Sequence, residues 1–259
     1  MVSRLRWRQY QGAEEKGVVL GKLKPFEPNS IVVGDCLEVM ARMPDRCVDL
    51  VVTDPPYRLT SGGVSGVRTG GIFDPSVYDN RGKLFEVLDF DQWLPDVYRV
   101  LKDDADAYIM TNDKNMFALM QAAFNVGFQL HNILVWLKST RTPNRWYMKQ
   151  CEYILYFWKG RARTINDAGS SNVLVFDVVI GSRVHPTEKP IPLMGVLVGN
   201  SSLRGSLIFD PFMGSGTTAV AADRLGRKFF GCDISEEYVA IAMERIEADR
   251  RKRSQLSLC

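Results

Sequence analysis

The run Val48–Thr53 and the four residues after it constrain this chain most. Its β-branched and apolar side chains fit a buried strand, and Asp54-Pro55-Pro56-Tyr57 stops it at once. Two consecutive prolines lack the backbone donors and the conformational freedom that either a strand or a helix needs. The sequence therefore puts a carboxylate at the tip of a buried strand, on a stiffened turn, with an aromatic ring beside it. A plain strand terminator would look the same, so the motif acquires meaning only from its surroundings.

A second strand tip of this kind lies near the C-terminus. Ser206–Phe209 reads as a strand ending in Asp210, Gly214-Ser215-Gly216 as a tight turn, and Thr217–Leu225 as the helix it opens. Glycine permits positive φ and a close approach of backbone to a ligand. Lys228–Gly231 reads as the next strand, with Asp233 at its tip. That acid stands about 18 residues past the turn, where nucleotide-binding α/β units accept hydrogen bonds from ribose hydroxyls. No lysine follows the second glycine, so the turn is not a phosphate-binding P-loop, nor is it a full G-x-G-x-x-G. Alone it reads equally as an ordinary turn; with Asp233 it points to a nucleoside-containing cofactor.

Strands and helices alternate through much of the chain. Ile31–Val33 reads as a strand ending at Gly34-Asp35, followed by a helix through Leu37 and Met40. Then come helix Asp91–Leu101, strand Ala105–Thr111, helix Asn115–Val126 and strand Phe128–Leu137. Helix Pro190–Asn200 opens on proline, and a last helix runs from a Ser235 cap to about Arg250. This rhythm predicts one Rossmann-like α/β domain over residues 31–259, with about seven strands in a mainly parallel sheet and helices on both faces. Residues 1–30 read as an irregular N-terminal arm. The glycine-rich stretch Arg58–Gly71 reads as a flexible loop.

Between Lys138 and Val184 no strand-helix repeat is visible. Lys138, Arg141, Arg145, Lys149, Lys159, Arg161 and Arg163 have Glu152 as their sole acidic companion up to position 163, and Trp146, Tyr147, Tyr153, Tyr156 and Trp158 interleave with them. Cations mixed with aromatics suit phosphate contact and base reading, or else a solvated face. Arg250-Arg251-Lys252-Arg253 reads as a frayed basic tail.

With 259 residues, 46% hydrophobic and 24% charged, the chain is globular rather than disordered. No apolar run approaches the roughly 20 residues that span a bilayer, and Met1–Tyr10 is basic without the apolar core of a secretory signal. A cytoplasmic location is expected, with no membrane partner. The five cysteines, at 36, 47, 151, 232 and 259, show no C-x-x-C spacing, and there are two histidines. Neither a disulfide framework nor a metal site is expected.

A strand-tip carboxylate held by prolines suits one chemistry well. The amine of adenine is a poor nucleophile because its lone pair is delocalised into the ring. Asp54 and the Pro55 carbonyl can accept its two N–H bonds and localise that lone pair, and Tyr57 can stack on a base taken out of the duplex.

On these motifs the sequence resembles the amino-methylating DNA methyltransferases. Asp54-Pro55-Pro56-Tyr57 resembles their catalytic motif, and the segment Asp210 to Thr218 their S-adenosylmethionine motif. His185-Pro186-Thr187-Glu188-Lys189-Pro190 resembles the segment before it, and Gly34-Asp35-Cys36 the element ahead of the catalytic strand. The catalytic motif precedes the cofactor motif, which resembles the permuted β class, with target recognition between the halves. The resemblance implies a target-recognition insert at about 139–184, with Lys138, Arg141, Asn144, Arg145 and Lys149 on DNA. It implies Asp54, Pro55, Pro56 and Tyr57 as catalytic residues. It sets S-adenosylmethionine against Asp35, Cys36, Asp54, His185, Pro186, Thr187, Lys189, Asp210, Pro211, Phe212, Gly214, Ser215, Gly216, Thr217 and Asp233. Within that set Asp233 would bind ribose, and Thr187 and Lys189 would reach the methionine carboxylate.

The implied reaction is methylation of adenine N6 in double-stranded DNA by base flipping, with Arg58–Gly71 as a lid. N4-cytosine methylation is the nearest alternative, and a catalytically inactive DNA-binding protein the alternative of another class. A homodimer and a cognate restriction enzyme stay open as partners.

Overall fold

The computed structural model describes residues 26–56, 88–142, 147–178 and 188–256. The strands are β1 (Ser30–Val33), β2 (Val48–Thr53), β3 (Leu101–Thr111), β4 (Gln129–Thr142), β5 (Lys149–Lys159), β6 (Val173–Val175), β7 (Leu207–Asp210) and β8 (Lys228–Asp233). The helices are α1 (Cys36–Ala41), α2 (Phe90–Val100), α3 (Met116–Val126), α4 (Ile191–Ser201), α5 (Thr217–Arg224) and α6 (Glu236–Leu256). All eight strands join one sheet in the order β1-β8-β7-β2-β3-β5-β4-β6, one more than the expected number. Every pairing is parallel except those of β5, which runs antiparallel to both neighbours.

Period-two alternation divides the core into two layers. Val51, Ile109, Phe157, Phe209 and Phe230 pack on one face, beneath α1, α2 and α3. Leu50, Val52, Tyr108, Ile208 and Phe229 pack on the other, beneath α4, α5 and α6. Helices therefore cover both faces, as the strand-helix rhythm predicts. α2 buries Trp93, Leu94, Val97 and Val100 at helical spacing and opens on a capping box formed by Asp89 and Gln92. It runs without a loop into β3, which consequently starts at Leu101 rather than Ala105.

Two expectations change. Of the stretch 139–184, residues 149–159 lie inside the sheet, between β3 and β4. Their aromatics mostly serve sheet packing: Tyr156 is buried against Tyr108, ring centroids 4.5 Å apart, and its hydroxyl donates to Asp106. β5 also separates its own cations. Its ends are about 33 Å apart at roughly 3.3 Å per residue, and Lys159, Arg161 and Arg163 lie at the end away from the β2 tip. There Lys159 is buried and donates to the carbonyls of Tyr98 and Leu101, while Arg161 pairs with Asp104.

The basic run Arg250–Arg253 is not frayed. α6 continues to Leu256, and Arg250 and Arg253 both pair with Asp223 of α5, with Arg253 and Arg224 sharing Asp249. These charges pin the last helix to α5. Among the described residues no helix is long and apolar enough to cross a membrane. The expected arm lies mostly outside the described residues, as does the whole loop Arg58–Gly71.

Candidate active site

The C-terminal ends of the parallel strands form one rim, where open α/β sheets bind ligands. In sheet order this rim carries Gly34-Asp35 after β1, Asp233 on β8, Asp210 on β7 and Asp54 after β2. β2 and β7 are adjacent yet connect away in opposite directions, so the crevice between their tips is the topological switch point. Thr53 clips the two together, donating from Oγ1 to Asp210 Oδ1 at 2.7 Å.

Asp210 itself faces inward. It is 3% exposed, and its oxygens accept from Thr53, from the Phe212 amide at 3.0 Å and from Thr218 Oγ1 at 2.8 Å. It shapes the turn from beneath. Burial pushes its carboxyl up to about 6 from the usual 3.8, against the three donors. Between about pH 4 and 6 the folded protein therefore holds a proton that the unfolded chain releases. This group's contribution to stability consequently falls as pH rises through that window, by an amount on the order of 3 kcal/mol at most. Asp210→Asn keeps the oxygen for Thr53 and Phe212 and turns its amide to Thr218. Thermal melts should show its advantage over wild type growing from pH 4 to 6 and constant above; a pH-independent difference would contradict this assignment.

The glycine turn is built on close approach. Gly214 has φ +50° and Gly216 φ +81°. A Cβ on Gly216 would lie 2.7 Å from Ala242 Cβ of α6, whereas one on Gly214 would meet nothing within 4 Å. Gly216 is thus a packing requirement, and Gly214 borders open space at the rim. Asp233 fixes the turn from the next strand, accepting from the Gly214 amide at 2.8 Å and the Ser235 amide at 2.9 Å. Ile234 stands beside it, 70% exposed, an apolar side chain displayed at the tip of β8. Half-buried Phe212 packs edge-on against Trp93, ring centroids 5.2 Å apart. Asp35 caps α1 by accepting from Leu37 and Glu38 amides. Cys36 is buried, and burial pushes its thiol up to about 12. Cys232 Sγ lies 3.3 Å from the Pro211 carbonyl.

At the β2 tip, Asp54 meets Lys189. The ammonium donates to Asp54 Oδ2 at 2.5 Å, and Asp54 Oδ1 is buried with no hydrogen-bond partner among the described residues. Burial pushes the Asp54 carboxyl up, with the Lys189 charge opposing it. Lys189 also stands 3.5 Å from Glu152, which accepts from Lys138 at 2.5 Å. Burial works against the charge of Glu152, but the two ammoniums outweigh it and hold its carboxyl below the usual glutamate value.

Glu188, next to Lys189, points to the other half of the site. It pairs with Arg245 of α6 at 2.6 Å, and Arg245 donates to the Ser215 carbonyl and hydroxyl at 2.5 and 2.8 Å. Residues 188 and 189 thus tie the glycine turn to the β2 tip. Thr217, buried, lies 3.5 Å from Arg245 through its hydroxyl.

The fold therefore gathers Asp35, Cys36, Asp54, Pro55, Pro56, Lys189, the Asp210–Thr217 turn and Asp233 on one rim. Tyr57, His185, Pro186, Thr187, Asn144 and Arg145 lie outside the described residues. Of the other expected DNA contacts, Lys138 is committed to Glu152, Arg141 is exposed beside Gln150, and Lys149 pairs with Asp113. Sequence reading missed Glu152, Arg245 and Ile234. Glu152 had a signal in its isolation among cations; Ile234 had one in following a strand-tip acid; Arg245 had none. Among the described residues no group of His, Cys, Asp and Glu could hold a metal ion.

Comparison with known proteins bears on the family and the fold. The profile of a family described as DNA methylase matches residues 48–178 and 168–244. The Type II methyltransferase M2.DpnII of Streptococcus pneumoniae is 31% identical over 246 residues, 85% of this chain and 90% of that one. The crystal structure of the M1.HpyAVI–SAM complex aligns with a TM-score of 0.63 at 22% identity, covering 83% of this chain and 98% of that one. PvuII DNA methyltransferase, described as cytosine-N4-specific, aligns with a TM-score of 0.65 at 18% identity over 88% and 93% of the two chains. At such identities the structural likeness concerns the fold, but the family match and the M2.DpnII relative reach further. The chain belongs to the N6/N4 DNA methylase family.

Proposed function

We propose that this protein transfers a methyl group from S-adenosylmethionine to N6 of an adenine flipped out of double-stranded DNA. The observation that carries the reading is Asp54 Oδ1, a buried acceptor without a donor at the topological switch point. A buried polar atom of this kind costs free energy unless something satisfies it, and the target amine brings the N–H to do so.

The cofactor fits the neighbouring turn. Gly214 leaves open space, Asp233 has its carboxylate at the strand tip, and Ile234 offers apolar surface for an adenine ring. When bound, S-adenosylmethionine supplies a methyl group on a sulfonium: its C–S bond breaks as the N–C bond forms, the pair stays on sulfur, and the amine must then shed one proton. Asp54 Oδ1 accepts the amine N–H throughout and takes that proton afterwards. The Pro55 carbonyl accepts the second N–H, Tyr57 stacks on the base, and the prolines hold both acceptors still. Burial pushes the Asp54 carboxyl up, and the Lys189 charge opposes it in favour of the ionised form. No covalent nucleophile on the protein is required.

Arg141 and Arg145 serve as DNA contacts in the stretch before β5. Replacing both by alanine is expected to weaken DNA binding and lower the slope of log K against log salt by up to about 2. An unchanged slope removes this segment from the interface.

The base is tested by labelling duplex DNA with the methyl group of S-adenosylmethionine and digesting it to nucleosides. Label in N6-methyladenine is expected. Label in N4-methylcytosine keeps the chemistry of Asp54 and overturns the base; cofactor binding without label in any DNA favours a catalytically inactive DNA-binding protein.

A further inference from the structure

Glu152 sits near the start of β5, opposite Trp136 of β4. Because β5 runs against its neighbours, its first residues arrive at the rim where β2 ends. The Glu152 carboxylate meets two ammoniums there, Lys138 at 2.5 Å through one oxygen and Lys189 at 3.5 Å through the other. Lys189 passes on to Asp54 Oδ2 at 2.5 Å. Four separate parts of the chain thus contribute one row of alternating charge: Lys138, Glu152, Lys189, Asp54. Their side chains are 8–22% exposed.

Such a row is stable only as a unit. Removing one partner from a buried pair leaves an uncompensated charge, which either loses its proton or moves toward water. Without Glu152, Lys138 and Lys189 would repel each other with Asp54 as the remaining anion in the row. Lys189, no longer held from the Glu152 side, would then be able to swing across to Asp54 Oδ1, and the acceptor for the amine is lost.

We propose that Glu152 is a positioning residue for methyl transfer: it tethers Lys189 to Asp54 Oδ2 and so reserves Asp54 Oδ1 for the target amine. The inference rests on Asp54 being that amine's acceptor.

The test is a double-mutant cycle on kcat. Glu152→Gln keeps the shape and removes the charge. It is expected to lower kcat by about tenfold or more with the KM for S-adenosylmethionine nearly unchanged, a coupling common among groups in one network. In a Lys189→Met background the same change is expected to matter less than about twofold, since Glu152 acts through that lysine. Equal losses in both backgrounds, or a wild-type kcat in Glu152→Gln, would overturn the proposal. Glu152→Asp is the second variant should Gln fail to fold. It keeps the charge but reaches the two lysines less well, so a lowered kcat with the KM for S-adenosylmethionine nearly unchanged is expected, and a wild-type kcat counts against it. Asp54→Ala runs alongside. If it is inactive while Glu152→Gln behaves as wild type, only the role of Glu152 falls; if it transfers methyl normally, the reading beneath falls as well.

Discussion

Asp54→Ala is expected to lower the rate of methyl transfer on the order of 10³-fold or more while S-adenosylmethionine still binds. In the proposed reaction the amine lone pair has to be drawn out of the ring, and Asp54 Oδ1, buried without a hydrogen-bond partner among the described residues, is the acceptor assigned to do it. The variant should fold. It removes a carboxylate that burial disfavours, and Lys189 retains Glu152 at 3.5 Å. Asp54→Asn should be nearly as inactive as Ala. Lys189 is a donor and will claim the amide oxygen, so the amide nitrogen turns toward the substrate and puts donor against donor. Single-turnover transfer, with cofactor affinity measured on the same samples, separates this from a folding defect. An Asn variant within tenfold of wild type would contradict the role of Oδ1.

The second large effect concerns the turn. Gly216→Ala is expected to destabilise the protein by about 2–5 kcal/mol, the sum of a left-handed backbone and an overpacked contact. The contact is with backbone as well as side chain of Ala242, 3.0 Å from its Cα, so rotation of a side chain cannot relieve it. For a chain of this size that is a fall in melting temperature of roughly 5–15 °C. Gly214→Ala should behave differently. Its Cβ enters open space, so the expected cost is the left-handed backbone alone, about 1–2 kcal/mol, while cofactor affinity falls because the added methyl occupies the pocket. Melts with and without S-adenosylmethionine distinguish the two. A Gly214→Ala protein that the cofactor stabilises as well as wild type would remove the pocket from this side of the turn.

The strands that carry the carboxylates were legible because they are buried on both faces. Leu50-Val51-Val52 and Leu207-Ile208-Phe209 are unbroken apolar runs inside the expected strands Val48–Thr53 and Ser206–Phe209, and the acids, prolines and glycines that follow them stand out. β5 was not legible for the opposite reason. Lys149-Gln150-Cys151-Glu152 at its start and Lys159 at its end look like surface. The charge of Lys159 is reconciled with burial by two carbonyls near the end of α2, and that of Glu152 by lysines far away in sequence. Pattern reading sees charge as exposure and cannot see a partner brought by the fold. Arg245 escaped in the same way, since its partners Ser215 and Glu188 are 30 and 57 residues distant. Arg250 and Arg253 looked like a free tail because Asp223 meets them only when α6 packs on α5, and Asp249 meets Arg253 only when the helix continues past Arg250.

The most direct measurement is a structure of the ternary complex with duplex DNA containing the recognised site and S-adenosylhomocysteine, the product that cannot transfer. The exocyclic nitrogen of a flipped adenine is expected within about 3 Å of Asp54 Oδ1, with Lys189 still on Oδ2. A target amine beyond hydrogen-bond reach of Asp54, or Oδ1 filled by a donor of the protein itself, would contradict it.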